Sequence, residues 1–284
     1  GVKAPGEFVD LHHILHEMRL YKRPEEIRLI KRAARISARA HKRAMQVSRP
    51  GMMEYEIEAE LIYEFRRSGS SAPAYPPIVA SGANSCVLHY TQNDAELKDG
   101  DLLLIDAGAE FDGYAADLTR TFPISGEFSG EQKAIYEIVL AAQLAAIAQV
   151  KPGNQWNHPH ETAIRILTEG LVDHGLLRGN VDELIEQEAY KTFYMHRTGH
   201  WLGMDVHDVG DYKVEEVWRL LEPGMVMTVE PGLYIAAGRD SVDPRWWNIG
   251  IRIEDDVLVT RDGREVLTRE APKTINEVEV LMRQ

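Results

Sequence analysis

Thiols are nearly absent from this chain of 284 residues: it has one cysteine, Cys86. No internal disulfide can form, which fits a reducing, cytoplasmic setting, and cysteine-ligated zinc is excluded. A lone thiol can be a nucleophile. The plainer reading of Cys86, inside the apolar run Cys86-Val87-Leu88, is a small buried residue. Positive charge is short as well. Against 45 Asp and Glu there are 32 Lys and Arg, a net charge of −13. Such a surface repels phosphate backbones, so nucleic acid is not an expected partner. No stretch approaches the ~18 uncharged apolar residues that a membrane span needs. The first six residues lack the apolar core of a secretory signal. An initiator methionine is missing too, which implies a chain processed or cut from something longer. What is present is enough for a sizeable core: 44% of residues are hydrophobic, sufficient for one large domain or two modest ones.

Residues 1–20 read as an extended lead-in. The first helix is expected over 24–47, opened by Pro24-Glu25-Glu26 and stopped by Pro50-Gly51. A second is expected over 54–67, with Ile57, Leu61 and Phe65 on one face and Gly69 as its stop. Strand-like runs follow at 78–81, 87–90, 102–109 and 114–122, the last two flanking the turn signal Phe111-Asp112-Gly113. The order then repeats. Ser129-Gly130-Glu131-Gln132 is a capping-box pattern for a helix to about residue 150. Helices over 161–174 and 182–189 come next, then strand-like runs at 226–235 and 249–260. Gln46-Val47-Ser48-Arg49-Pro50-Gly51 and Gln149-Val150-Lys151-Pro152-Gly153 sit at matching places in the two halves. The expected fold is therefore α+β, a duplicated helix–helix–hairpin unit. Its hairpins would join into one curved, mainly antiparallel sheet with helices on the outer face.

The chemistry concentrates in acids on these hairpins. If Phe111 and Asp112 form the loop, Glu110 pairs with Gly113 and Asp106 falls directly opposite Asp117. Their neighbours Leu104, Ile105 and Leu118 are apolar. Two carboxylates on a buried face repel and lose hydration at a cost of several kcal/mol, which a bound cation removes. Pairing of each with an arginine, Arg120 being near in sequence, is the alternative. Glu230 and Glu254 form a comparable pair in the second half. Alternation puts Arg252 and Glu254 on one face and Ile251 and Ile253 on the other. That face could equally be solvent-exposed, but in a duplicated fold it is the counterpart of the face bearing Asp106 and Asp117. Of eleven histidines, His12, His13, His16, His158 and His160 show no ligand logic. His196, His200 and His207 differ, because they stand among apolar and glycine residues where a neutral imidazole ligand or proton donor would sit. Their spacing matches no HExxH zinc signature.

Five stretches carry a resemblance. They are Leu88-His89-Tyr90; Ile105-Asp106-Ala107-Gly108 with Asp117-Leu118-Thr119-Arg120-Thr121-Phe122; His196 through Gly210; Thr228-Val229-Glu230-Pro231-Gly232-Leu233-Tyr234; and Gly250-Ile251-Arg252-Ile253-Glu254-Asp255-Asp256. In this order they resemble the pita-bread metallopeptidases, a family that includes aminopeptidase P, prolidase and methionine aminopeptidase. The resemblance implies a pita-bread fold and two divalent metal ions held by Asp106, Asp117, His200, Glu230 and Glu254. Asp117 and Glu254 would bridge the two ions. Four carboxylates and one imidazole favour Mn²⁺, with Co²⁺ or Zn²⁺ as alternatives. By the same resemblance Glu230 would also handle the proton. His207 would hydrogen-bond the reacting carbonyl, His89 and His196 would line the substrate pocket, and Arg252 would orient a carboxylate or the substrate.

The stretch from His196 to Gly210 looks like the branch that cleaves beside proline. The implied activity is release of the N-terminal residue from peptides with proline second. Hydrolysis of Xaa-Pro dipeptides is the alternative within the family, and a non-catalytic binding module of the same fold is another; the latter would be expected to lack ligands. The lead-in motif His16-Glu17-Met18-Arg19-Leu20 with Lys22, Pro24, Glu25 and Glu26 resembles the junction that follows the N-terminal domain of aminopeptidase P. Residues 1–20 are thus expected to be what is left beside a missing N-terminal domain, and 21–284 the catalytic domain. The expected partner is a peptide with an Xaa-Pro N-terminus, and a homo-oligomer is among the assemblies the resemblance allows.

Overall fold

A computed structural model describes residues 6–284; the first part of the expected lead-in, residues 1–5, lies outside them. Three helices open the chain: α1 (His12–Leu20), α2 (Pro24–Val47) and α3 (Glu54–Arg67). Six strands follow: β1 (Ala72–Pro73), β2 (Ile78–Ser81), β3 (Leu102–Asp106), β4 (Ala109–Phe111), β5 (Tyr114–Ala115) and β6 (Thr119–Pro123). The second half has α4 (Gly130–Gln149), α5 (His158–Asp173) and α6 (Val181–Glu186), then the small hairpin β7 (Lys213–Val214) and β8 (Val217–Trp218). It ends with β9 (Val226–Val229), β10 (Gly232–Ile235), β11 (Ile249–Arg252), β12 (Asp255–Thr260), β13 (Gly263–Val266) and the closing helix α7 (Ile275–Met282).

The helices form where their ends are satisfied and one face can be buried. Glu26 accepts the Arg23 N–H at 2.8 Å at the start of α2, and the helix buries Ile30, Ala33, Ala34, Ile36, Ala40, Ala44 and Met45. Ser129 caps α4 in a reciprocal box with Gln132: the Gln132 N–H donates to Ser129 Oγ and the Ser129 N–H to Gln132 Oε1, satisfying two N–H groups the helix cannot. α2 packs on α3, and α4 on α5. The first pair lies against β2, β4 and β5, whereas α4 lies against β9, β10 and β11. All strand pairs are antiparallel, in the orders β2-β3-β6, β13-β12-β9, β10-β11, β1-β4-β5 and β7-β8. The halves join where β6 meets β11. There the Thr121 hydroxyl donates to Arg252 O at 3.0 Å and the Glu254 N–H to Thr119 O at 3.1 Å. This is the pita-bread fold, with its duplicated unit as expected.

Every long strand of the expected hairpins is interrupted at the same depth, at residues 107–108, 116–118, 230–231 and 253–254. Sequence explains two of these breaks. An ideal Cβ on Gly108 would lie 1.7 Å from Ala116 O, so only glycine lets the two backbones close there. Pro231 has no N–H to give to a ladder.

Four expectations need correction. The turn is Asp112-Gly113, both at positive φ (48° and 80°), the geometry of a type I′ loop that Asp-Gly tolerates. Phe111 therefore pairs with Tyr114 and Glu110 with Ala115. Asp106 stands opposite Thr119, not Asp117, so the two acids are diagonal neighbours on one face. Residues 87–90 are not a strand: Val87 is exposed, and Tyr90 is turned inward by its hydroxyl, which donates to Glu54 Oε2 at 2.7 Å. The lead-in is not extended throughout, since 12–20 is helical, anchored by distant ion pairs invisible in local sequence. The helices expected at 161–174 and 182–189 run from His158 to Asp173 and from Val181 to Glu186.

Candidate metal centre

Asp106, Asp117, His200, Glu230, Glu254, His207, His89, His196 and Arg252 all line one cavity of about 230 Å³. Each half of the duplicated sheet brings two acids to it. Asp106 ends β3 and Asp117 precedes β6. Glu230 follows β9, and Glu254 precedes β12. Gly232 pairs with Arg252 and Val229 with Asp255; between them the Ile253 N–H donates to Pro231 O at 3.3 Å. The register is thus continuous across the break and sets Glu230 directly opposite Glu254. His200 comes from the long segment before β9 and is fixed by backbone pairing: the Thr228 N–H donates to His200 O at 3.0 Å.

The donors converge. Asp117, His200 and Glu254 each offer an atom within 4.8 Å of one another. His200 Nε2 lies 3.3 Å from Asp117 Oδ2 and 3.6 Å from Glu230 Oε1. Its Nδ1 faces Trp201 O at 2.9 Å. A carbonyl only accepts, so Nδ1 carries hydrogen and Nε2 is the atom turned to the carboxylates; it holds a proton between them in the absence of metal, and would give its lone pair to a cation that took the proton's place. The Tyr75 hydroxyl sits 2.6 Å from Asp106 Oδ1 and 2.5 Å from Asp117 Oδ1. Glu254 Oε2 accepts from Thr119 Oγ1 at 2.6 Å.

Titration directions show what the site needs. Burial, with Asp117, Glu230 and Asp106 nearby, pushes Glu254 well above the usual carboxylate range. Burial raises Asp106 and takes Glu230 up to about 7. Burial also works against Asp117, but the His200 hydrogen bond and charge outweigh it and hold Asp117 low. The same pairing, with Glu230, lifts His200 to about 9 although burial opposes its charge. Four carboxylates, Asp117 and Glu254 buried and Asp106 and Glu230 half-buried, thus share one permanent cation, Arg252, whose Nη2 is 2.7 Å from Asp106 Oδ2, and the titratable His200. The deficit of positive charge, the oxygen-plus-imidazole donors and the inward Nε2 of His200 fit divalent cations.

Around this centre runs a second network. Arg252 Nη1 donates to the Tyr234 hydroxyl at 2.9 Å, and that hydroxyl is 2.8 Å from His196 Nε2. His196 Nδ1 faces Arg197 O at 2.8 Å. Nδ1 therefore donates and Nε2 accepts from Tyr234. Burial lowers His196 to about 3, so it is neutral. His207 and His89 stand exposed at the rim, with the His207 ring edge-on to His200 at 4.4 Å.

The arginine alternative for the acids is realised by a different residue. Arg120 is fully buried and turns away to Asp255, 2.8 Å from its Nη2, and to the carbonyls of Pro272 and Ala271. Asp106 pairs with Arg252 instead. Cys86 is half-buried and burial pushes its thiol up to about 11, which suits no nucleophile. Sequence alone gives Tyr75 and Tyr234 no role. Tyr234 closes the motif that begins at Thr228, whereas Tyr75 precedes Pro76-Pro77 in a stretch without strand or helix periodicity.

An interrupted antiparallel sheet that carries two acids from each half to a shared imidazole is the architecture of the pita-bread class of metallopeptidases. The chain belongs to metallopeptidase family M24, whose model matches residues 28–261, and so to a family built around bound divalent metal. It is 53% identical to the Xaa-Pro aminopeptidase of Haemophilus influenzae over 277 residues, covering 98% of this chain and 64% of that protein. It superposes on the structure of Pseudomonas aeruginosa aminopeptidase PepP with a TM-score of 0.99 at 61% identity, covering 100% of this chain and 64% of that one. A variant of Escherichia coli aminopeptidase P in complex with substrate gives a TM-score of 0.96 at 50% identity, covering 99% and 63%. The chain thus spans under two-thirds of the length of these relatives. No helix among the described residues is long and apolar enough to cross a membrane.

Proposed function

We propose that the chain is the catalytic part of a dinuclear-metal aminopeptidase that releases the N-terminal residue from peptides with proline in the second position. The observation that carries this reading is the convergence of all five donors in one cavity, in a chain 50–53% identical to relatives named Xaa-Pro aminopeptidase. Asp106, Asp117, His200, Glu230 and Glu254 would hold the two ions. The oxygen-rich set favours Mn²⁺ over Co²⁺ or Zn²⁺. When bound, the ions supply charge that offsets the carboxylates, polarises the scissile carbonyl and acidifies a water.

The chain's own residues do the rest. Glu230, beside that centre, takes a proton and passes it toward the proline nitrogen. His207 donates a hydrogen bond to the oxygen on which charge develops. His89 and neutral His196 line the pocket. Arg252, locked between Asp106 and Tyr234, orients one acid and, through Tyr234, His196. The lone cysteine and the net charge of −13 suit a cytoplasmic enzyme acting on peptides.

The test is hydrolysis of an Xaa-Pro-Xaa tripeptide after chelation and after Mn²⁺ addition. Release of the first residue only with metal supports the reading. Cleavage confined to Xaa-Pro dipeptides would make it a dipeptidase, and no cleavage with any metal would leave a binding module.

A further inference from the structure

The lead-in motif with Glu17, Arg19 and Lys22 has no part in the chemistry above, yet Arg19 and Lys22 reach the segment that carries His200 and His207, at Asp205 and Asp208. The side chains of Lys22 and Asp208 are each 1% exposed, with Lys22 Nζ 3.2 Å from Asp208 Oδ2. Arg19 pairs with the other oxygen of Asp208 and lies 2.7 Å from Asp205 Oδ2. The neighbouring fold accommodates this cluster. An ideal Cβ on Gly203 would sit 2.1 Å from Asp208 Oδ2 and 2.9 Å from Lys22 Cε, so glycine there leaves the pair its space. The Lys22 N–H donates to Gly224 O at 2.9 Å and the Asp208 N–H to Trp201 O at 3.0 Å, fixing both partners to the approach to β9. Glu17 adds an outer tie through Arg219 Nη1 at 3.1 Å.

His207 is the residue before Asp208. Its ring is exposed at the cavity rim and rests edge-on against His200. An exposed ring is aimed by its backbone, and here the adjacent side chain is clamped from two sides in the interior. Buried ion pairs add little net stability, because desolvation offsets attraction; their best-attested use is to select one arrangement. We propose that Arg19, Lys22 and Asp208 form a positioning clamp for His207, tying its loop to the start of the chain. This rests on the role given to His207 above.

The test compares Asp208→Asn and Arg19→Gln with the unaltered chain, each in the presence and absence of His207→Ala. Arg19 is 29% exposed, so its variant keeps the comparison available should Asp208→Asn fail to fold. In the metal-loaded enzyme, kcat on the tripeptide should fall at least ~10-fold for Asp208→Asn and about threefold for Arg19→Gln, with KM within about twofold, since misplacement of a reacting group costs turnover. In the His207→Ala background neither change should lower kcat further. Histidine imidazole NMR on the zinc-loaded protein should show the His207 signals shifted or broadened in both variants and those of buried His41 unmoved. The clamp is overturned by equal losses in both backgrounds, or by His207 signals that stay in place. Should the unaltered chain cleave no Xaa-Pro peptide, the functional reading fails separately, and the His207 signals alone decide the clamp.

Discussion

At the residue scale, environment assigns different tasks to chemically similar groups. Asp255 and Glu254 are adjacent. Asp255 is held well below the usual carboxylate range by Arg120 and Lys273 although burial opposes it, and it is an internal anchor. Glu254 faces other acids and is pushed far up by burial and by them. Glu230, raised to about 7 by burial in the absence of metal, is the acid proposed above to move the proton. Glu230→Ala should lower kcat by at least ~10² even at saturating metal, the low end of what a positioned acid–base group contributes. Steady-state kinetics across a metal titration measures this; retention of kcat would leave Glu230 without a proton-transfer role.

At the element scale, the site depends on strands that stop. Asp106 and Asp117 reach the cavity because the first hairpin opens at Gly108, and Glu230 and Glu254 because the second opens at Pro231. Behind the seam between β6 and β11, Arg120 holds Asp255, Glu254 O and Ala271 O together in the interior. Removing one partner of such a pair leaves a buried charge uncompensated, at roughly 3–5 kcal/mol. Arg120→Met should therefore lower the urea midpoint of the metal-free protein by an amount equivalent to about that figure. A midpoint within ~1 kcal/mol of the unaltered chain would mean that Lys273, 2.7 Å from Asp255 Oδ2, suffices alone.

At the scale of the whole molecule, the buried titratable groups set a pH profile. His41, His160 and His196 are lowered by burial to about 4, 3 and 3. The folded chain refuses protons the unfolded one accepts, so their contribution is present above pH ~6.5 and lost as pH falls below it. His200, raised to about 9, acts the other way: its contribution is full below ~6.5 and lost as pH rises through 9. Glu254, also raised, adds to that loss, because the folded state must give up a proton the unfolded state has already shed. Stability of the chelated protein should fall from pH 7 to 9, by up to ~1.4 kcal/mol per pH unit for each group. Divalent metal reverses the penalty, so the gain in Tm on loading should widen over the same range. Scanning calorimetry at pH 7, 8 and 9 reads it, and a gain independent of pH would count against these acids and His200 as the metal's partners.

Much of this was legible in the chain itself. The duplicated order of elements follows from Pro-Gly stops, capping residues and helix periodicity, which are local. The candidate site residues are legible in motifs and in acids on apolar strands, where unpaired carboxylates demand an explanation. Other features depended on contacts between segments far apart in sequence. The Asp106–Asp117 register turned on which of two neighbouring residue pairs forms the loop, and the positive φ of Asp112 and Gly113 decided it. Whether Arg120 or Arg252 meets Asp106 depended on how the halves join, since strand alternation orients a side chain without naming what lies opposite. Tyr75 reaches two acids only because its irregular segment folds over them, and α1 is a helix only where Arg19 and Glu17 find partners 189 and 202 residues away. The sequence determined which groups must be buried together. Tertiary structure decided which of them share a proton, an ion pair or a donor set, because those choices rest on distances between segments that local propensity does not encode.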